Sequence, residues 1–252
     1  MSLLFNLLFP PKCASCGQLL PHDIADAEAL CPVCRAEWES EILETCGICA
    51  KPVGECSCMT ERMGKAKCAG FSKLVYYYPG KRQRVQNRLI YTVKQSREQR
   101  AAAFLARELA RNIEALLKQE GISNEEVVLT YIPRGSRSKM QYGTDQAKVL
   151  ATLLGKQTAL EVRPTLRRRF GRGRPQKKLD PAGRYRNAKE SFAPMEASIP
   201  ALHGKTVILV DDIVTTGSSM AVGIRLLRQM GARRVYALAV ASDIVNRDVG
   251  VY

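Results

Sequence analysis

Val207-Ile-Leu-Val-Asp-Asp-Ile-Val-Thr-Thr-Gly-Ser-Ser219 is the stretch on which the reading of this 252-residue chain turns. Its first four residues are apolar, as a strand buried on both faces requires. Asp211 and Asp212 then mark the strand's expected end. Thr215, Thr216, Gly217, Ser218 and Ser219 form a small polar loop, and Ser218 to Met230 reads as a helix stopped by Gly231. Ligands of open parallel sheets bind at the carboxyl ends of strands. A helix N-terminus offers free backbone N–H groups and a positive dipole end to a phosphate. Gly217 permits close backbone approach, and the hydroxyls add donors. The two carboxylates can accept hydrogen bonds from sugar hydroxyls, so a sugar 5-phosphate would satisfy both ends of the motif. Helix capping alone accounts for one acidic residue, not for this pair and the loop behind it.

Outward from the motif, strands and helices alternate. Val235 to Val240 is a second buried strand, and Val127 to Ile132 is a β-rich run ended by Pro133. Lys73 to Tyr78 is strand-like and stops at Pro79-Gly80. Helices are expected over about 82–94, from Ser96 to Gly121, and from Ala147 to Leu154. The pattern predicts an α/β domain, a parallel sheet flanked by helices, over residues 71–252.

Residues 1–70 differ in kind. Eight of the nine cysteines fall here, as Cys13-x-x-Cys16, Cys31-x-x-Cys34, Cys46-x-x-Cys49 and Cys56-x-Cys58. A CxxC turn lets two thiolates reach one ion, and two such pairs make the tetrahedral Cys₄ shell of structural zinc. The first quartet is the stronger signal, since the second closes with CxC spacing. Pairing in chain order (13/16 with 31/34, 46/49 with 56/58) is the simplest assignment, and spacing alone leaves crossed pairing open. A redox CxxC would call for a single motif at a helix start, which is not the pattern here. So small a segment needs its metal to fold. Cys68 is left as a buried thiol, while His22 and His203 read as incidental. Trp38 and Tyr76-Tyr77-Tyr78 read as packing residues near a domain junction rather than as stacking platforms.

The net charge of +15 is unevenly spread. Residues 1–70 carry −3, leaving +18 for the rest, and Arg163 to Lys189 alone carries +10. Such a field attracts phosphates or nucleic acid, although a solvated loop is the plainer reading of a charge run. Arg167, Arg168, Arg169, Arg172, Arg174, Lys177 and Lys178 are the candidate nucleic-acid contacts. The segment of about 164–194 is expected to form a flexible basic hood over the site. No apolar run approaches the roughly 18 residues of a membrane span. The apolar start lacks early basic residues and meets Pro10-Pro11, so it does not fit a secretory signal, and the expected compartment is the cytoplasm.

The segment around Asp211 resembles the phosphoribosyl-pyrophosphate (PRPP) motif of type I phosphoribosyltransferases. Together with the cysteine-rich front, nearly the whole chain resembles the ComF family, in which a double zinc ribbon precedes a phosphoribosyltransferase-like domain. Tyr78-Pro-Gly80 and Lys94 resemble the family's post-ribbon segment. Gln176, Leu179, Arg184, Asn187 and Phe192 follow its spacing, and Gly143-Thr-Asp-Gln146 resembles its Gly-Phe-Asn-Gln element with Thr144-Asp145 in place of Phe-Asn. The resemblance implies that Asp211 and Asp212 act at the ribose hydroxyls as the catalytic pair and that Thr215 to Ser219 cradle the 5-phosphate. It implies that Pro133, Arg134, Gly135 and Ser136 form the pyrophosphate loop, with Mg²⁺ bridging diphosphate and ribose oxygens. It further implies handling of single-stranded DNA in natural transformation, with partners among DNA-uptake helicase and channel proteins. The other activity it implies is transfer of ribose 5-phosphate from PRPP to a nucleobase or amine.

Overall fold

A computed structural model describes residues 10–20, 29–95, 99–134, 145–169, 181–243 and 249–250. In chain order the elements are α1 (Pro32–Ile42), β1 (Met59–Thr60), α2 (Glu61–Lys65), β2 (Gly70–Tyr76), α3 (Val85–Gln95) and α4 (Gln99–Glu120). There follow β3 (Val127–Tyr131), α5 (Gln146–Thr158), β4 (Glu161–Val162), β5 (Leu166–Arg168), α6 (Pro181–Ser191) and β6 (Phe192–Pro194). The chain continues with α7 (Ile199–Leu202), β7 (Thr206–Val214), α8 (Ser218–Gln229), β8 (Arg234–Ser242) and β9 (Val249–Gly250).

The main sheet has five strands in the order β2-β8-β7-β3-β4, and every pairing in it is parallel. Two short antiparallel pairs, β1 with β9 and β5 with β6, lie outside it. The apolar run of β7 is explained by burial on both faces. Ile208 and Val210 point into one core with Leu89, Leu105, Leu109, Leu150 and Leu154 of α3, α4 and α5. Val207 and Leu209 point into the other core with Met220, Ile224 and Leu227 of α8. Successive side chains of a strand alternate between faces, so a central strand must be apolar at every position.

The ribbons wrap the β2 edge rather than standing apart. Cys13, Cys31, Cys34 and Trp38 belong to the first core. Trp38 is fully buried and meets Phe104 of α4 edge-on, with ring centroids 5.4 Å apart. Cys46, Val53 and Cys56 gather around Tyr76 of β2, with Tyr78 beside them. Met59, Met63 and Ala66 join the second core. The tyrosines are thus packing residues, as the sequence suggested. Cys68 is half-buried and its thiol donates to the Gly70 carbonyl at 3.1 Å. The described part of the expected hood is packed: Leu166, Ala188 and Phe192 are buried in the core that α8 caps.

Several boundaries differ from expectation: β2 runs from Gly70 to Tyr76 rather than from Lys73 to Tyr78, and α3 begins at Val85. β7 does not stop at the carboxylates, because β8 supplies ladder partners as far as Val214↔Ser242. The helix expected from Ala147 to Leu154 begins at Gln146 and runs to Thr158, where Ala159 takes the left-handed cap (φ 55°) that glycine usually fills.

Candidate ribose-phosphate site and cysteine centres

β3 pairs with β7 only as far as Tyr131↔Val210, whereas β8 pairs with β7 four residues further. Asp211 and Asp212 therefore project beyond β3 at the carboxyl edge of the sheet, beside Pro133 and Arg134. Each carboxylate accepts from the next backbone N–H: Asp212 N to Asp211 Oδ1 at 2.9 Å, and Ile213 N to Asp212 Oδ1 at 2.9 Å. Arg134 Nη2 donates to Asp212 Oδ2 at 2.6 Å, a charge-assisted bond between the two expected half-sites. Burial pushes Asp211 well above the usual carboxylate range, and the neighbouring Asp212 charge raises it further. The pair thus resists carrying two negative charges, and Arg134 only partly offsets that resistance.

Asp145 holds the other end of Arg134. Its Oδ2 accepts from Arg134 N at 3.0 Å while its Oδ1 faces Lys148 N at 3.5 Å as the N-cap of α5. Asp and Asn are both strong N-caps, so Asp145 keeps the capping capacity of the Asn it replaces in the family element. Sequence reasoning singled out the substitution but not this link to Arg134.

Arg168 parts company with its neighbours. Its Nε donates to the Pro133 carbonyl at 3.1 Å, and its guanidinium lies 4.7 Å from the centroid of Phe192. Burial lowers its pKa, and Asp211 and Asp145 oppose that shift. Arg167 and Arg169 are exposed. The two-residue period of β5 explains the split, since Arg168 points inward and its neighbours outward. Arg172, Arg174, Lys177 and Lys178 lie outside the described residues, as do Gly135 and Ser136 of the expected pyrophosphate loop.

At the expected phosphate loop Thr215 is exposed and Thr216 half-buried, and Thr216 Oγ1 lies 2.8 Å from Ser218 Oγ. Gly217 is the N-cap of α8 at φ 67°, and no side chain caps that helix among the described residues. The first N–H groups of α8 are thus left for an anion.

Both cysteine quartets assemble in chain order. Cys13, Cys16, Cys31 and Cys34 form one group and Cys46, Cys49, Cys56 and Cys58 the other, with the sulfurs of each within 4.8 Å of one another. Cys16 Sγ and Cys31 Sγ are 3.8 Å apart. Tetrahedral zinc with Zn–S bonds of about 2.3 Å needs sulfur–sulfur edges of about 3.8 Å, so the donors fit structural zinc. Burial opposes ionisation of Cys13, but backbone N–H groups around Cys16, Cys31 and Ser15 outweigh it and bring that thiol to about 7. In Cys46 burial is likewise outweighed, by the Tyr76 hydroxyl and the backbone at Cys49 and Ile48, and the thiol falls to about 6. Burial pushes Cys34 up to about 12 and raises Cys58 as well. Burial thus opposes ionisation of Cys34 and Cys58, and a bound cation would favour it.

Cations from the α/β domain reach both quartets. Arg88 of α3 binds Ser15 Oγ at 2.7 Å and Glu37 at 2.8 Å, and its Nη2 lies 3.9 Å from Cys34 Sγ. Lys73 of β2 is fully buried, and its Nζ donates to Cys56 O at 2.9 Å, Cys56 Sγ at 3.2 Å and Cys58 O at 3.3 Å.

A parallel sheet carrying an acid pair and an uncapped helix start at its carboxyl edge, with two cysteine quartets wrapped on one edge strand, defines a phosphoribosyltransferase-type domain behind a double metal ribbon. Residues 99–248 match the phosphoribosyl transferase domain and residues 4–69 the double zinc ribbon domain. The chain belongs to the phosphoribosyltransferase family and, with the ribbon in front, has the architecture of its ComF branch. It is similar to ribose-phosphate pyrophosphokinase of Nostoc sp. (58% identity over 36 residues, 14% of this chain and 11% of that protein). It is also similar to the DNA utilization protein YhgH of Salmonella typhimurium (30% identity over 155 residues, 58% of this chain and 63% of that protein). The chain thus spans less than two thirds of the length of either relative. Among solved structures, an HPRT aspartic-acid mutant is similar at 14% identity, covering 60% of this chain and 72% of its own, with a TM-score of 0.35. An allosteric regulatory enzyme of purine biosynthesis is similar at 18% identity, covering 56% and 26%, with a TM-score of 0.34. Among the described residues no helix is long and apolar enough to cross a membrane.

Proposed function

We propose that this chain binds PRPP or a ribose 5-phosphate group at the carboxyl edge of β7 and contacts single-stranded DNA through its basic surface, in the cytoplasm, as a ComF-type DNA-handling protein. The observation that carries the ligand reading is the juxtaposition of Asp211, Asp212 and Arg134 with the uncapped start of α8. In this reading the N–H groups after Gly217 hold the 5-phosphate and the acid pair holds the ribose hydroxyls. Arg134, resting on Asp212, exchanges that carboxylate for the diphosphate. Arg168 braces the loop through the Pro133 carbonyl and adds positive charge beside Asp211. Asp211 and Asp212 offer the hard oxygen ligands that Mg²⁺ prefers, and the ion would supply neutralisation of the ligand's negative charge. The YhgH protein's name supports the DNA reading, as do the exposed Arg167 and Arg169 in a +10 segment.

The two roles separate by mutation. Arg168→Ala lowers PRPP affinity about tenfold, the expected loss of a charged hydrogen-bonding group, when PRPP is measured by equilibrium dialysis with magnesium. The double change Arg167→Ala/Arg169→Ala leaves PRPP binding in place. It reduces the salt slope of single-stranded DNA binding by about 0.7 per lost phosphate contact, read by fluorescence anisotropy. DNA binding that ignores salt and survives the double change contradicts the DNA role. Equal PRPP loss in both variants contradicts the assignment of Arg168.

The second reading, transfer of ribose 5-phosphate to a nucleobase or amine, is favoured by Arg134 standing where charge would develop on a departing pyrophosphate. Catalysis would then be positioning plus electrostatic stabilisation. Pyrophosphate release across an acceptor screen tests it, and none from any base or amine rejects it.

A further inference from the structure

The start of α8 rests on the ribbon. A Cβ at Gly217 would overlap the hydroxyl oxygen of Thr60 and lie 3.1 Å from Met63 Cγ and Sδ. Thr60 is buried and is the N-cap of α2, accepting from Met63 N at 3.4 Å. Met63 has no exposed surface and packs in one core with Met220, Ala221 and Ile224 of α8. Two residues before Thr60 is Cys58, the last donor of the second quartet, whose carbonyl, like that of Cys56, is held by the buried Lys73 ammonium.

We infer that Thr60 and Met63 are positioning residues for the 5-phosphate loop, which makes the second cysteine quartet a determinant of ligand affinity; this rests on the ribose-phosphate reading of the loop. A helix of five residues has too few internal bonds to hold itself in place. Its position comes from its anchors, the quartet on one side and α8 on the other. A four-thiolate metal site carries net negative charge, and Lys73 is its complement. Without the metal, Cys56 and Cys58 lose the shared ion that would tie them to Cys46 and Cys49. The segment from Cys56 to Met63 then loses its fixed start and Gly217 its backing. Helix-start N–H groups bind an anion well only when already aimed, so loosening them lowers affinity. The first quartet has no such role, because Cys13, Cys31 and Cys34 pack in the core of the opposite sheet face. Coupling between sites is reciprocal, so ligand must also hold the second metal more firmly.

The test uses the full-length zinc-replete chain with ribose 5-phosphate as probe. Met63→Ala leaves all eight cysteines and every loop residue unchanged, and it is expected to keep its full zinc content while binding the probe about tenfold more weakly by calorimetry. The second measurement needs no loop or ribbon-helix variant. Zinc release to a chromogenic chelator is followed with and without saturating ribose 5-phosphate, in the wild type and in Cys13→Ser/Cys16→Ser. The inference expects the probe to slow one of the two zinc phases in the wild type and the single remaining phase in the variant. Wild-type probe binding with unchanged Met63→Ala affinity and unchanged release rates overturns the positioning role alone. No probe binding by folded, zinc-replete wild type overturns the site reading, and this inference with it.

Discussion

Replacing Gly217 by alanine is expected to weaken ribose 5-phosphate binding by about 100-fold or more. Two independent costs fall on the same residue. At φ 67° an L-residue other than glycine loses about 1–2 kcal/mol. The added methyl also enters space held by the Thr60 hydroxyl and the Met63 thioether. The hydroxyl belongs to a buried helix cap and cannot simply turn to solvent, so the loop moves instead. A displacement of about 1 Å is enough to cost two orders of magnitude where preorganised N–H groups must meet an anion. Calorimetric titration reads the loss, and a thermal melt on the same sample is expected to fall by several degrees or more, given a combined cost of about 2–5 kcal/mol. Undiminished binding by Gly217→Ala would place the phosphate elsewhere.

Trp38→Ala carries the largest expected stability cost. The indole has no exposed surface and lies edge-on to Phe104 at the junction of the first ribbon and α4. Arg35 lies 5.2 Å over the same Phe104 ring and pairs with the buried Glu108, so the cavity left by truncation cannot readily collapse. A loss of about 3–5 kcal/mol follows from lost transfer energy and residual cavity. Against the 5–15 kcal/mol typical of a folded domain, the variant should unfold at markedly lower denaturant. A midpoint shift in zinc-replete protein checks it. A wild-type midpoint would mean that the ribbon does not share the sheet's core.

What the sequence made legible follows from burial. The strands at Val127, Thr206 and Val235 were readable because central parallel strands are apolar at every position. The end of β7 was not, because consecutive aspartates look like a stop while the ladder that carries the strand past them belongs to β8. Chain-order pairing of the cysteines was the simplest reading, and the grouping of the sulfurs selects it over crossed pairing. Lys73 opens the expected strand in sequence, and only the fold brings it to Cys56. Arg168 sits in a run of three arginines, and the pleat of β5 rather than composition turns it inward. The contact of Thr60 with Gly217 joins residues far apart in the chain and leaves no local signal.

The central claim is that the edge of β7 is a ribose-phosphate site. Calorimetric titration of zinc-replete protein with PRPP and magnesium, beside Asp211→Asn/Asp212→Asn, tests it most directly. The amides keep the size of the side chains but not their charge, so the fold is retained while the counterpart of Arg134 and of any bound cation is removed. Saturable binding by the wild type and none by the double variant is the predicted result. Equal binding by both, or none by a folded wild type, would contradict the account.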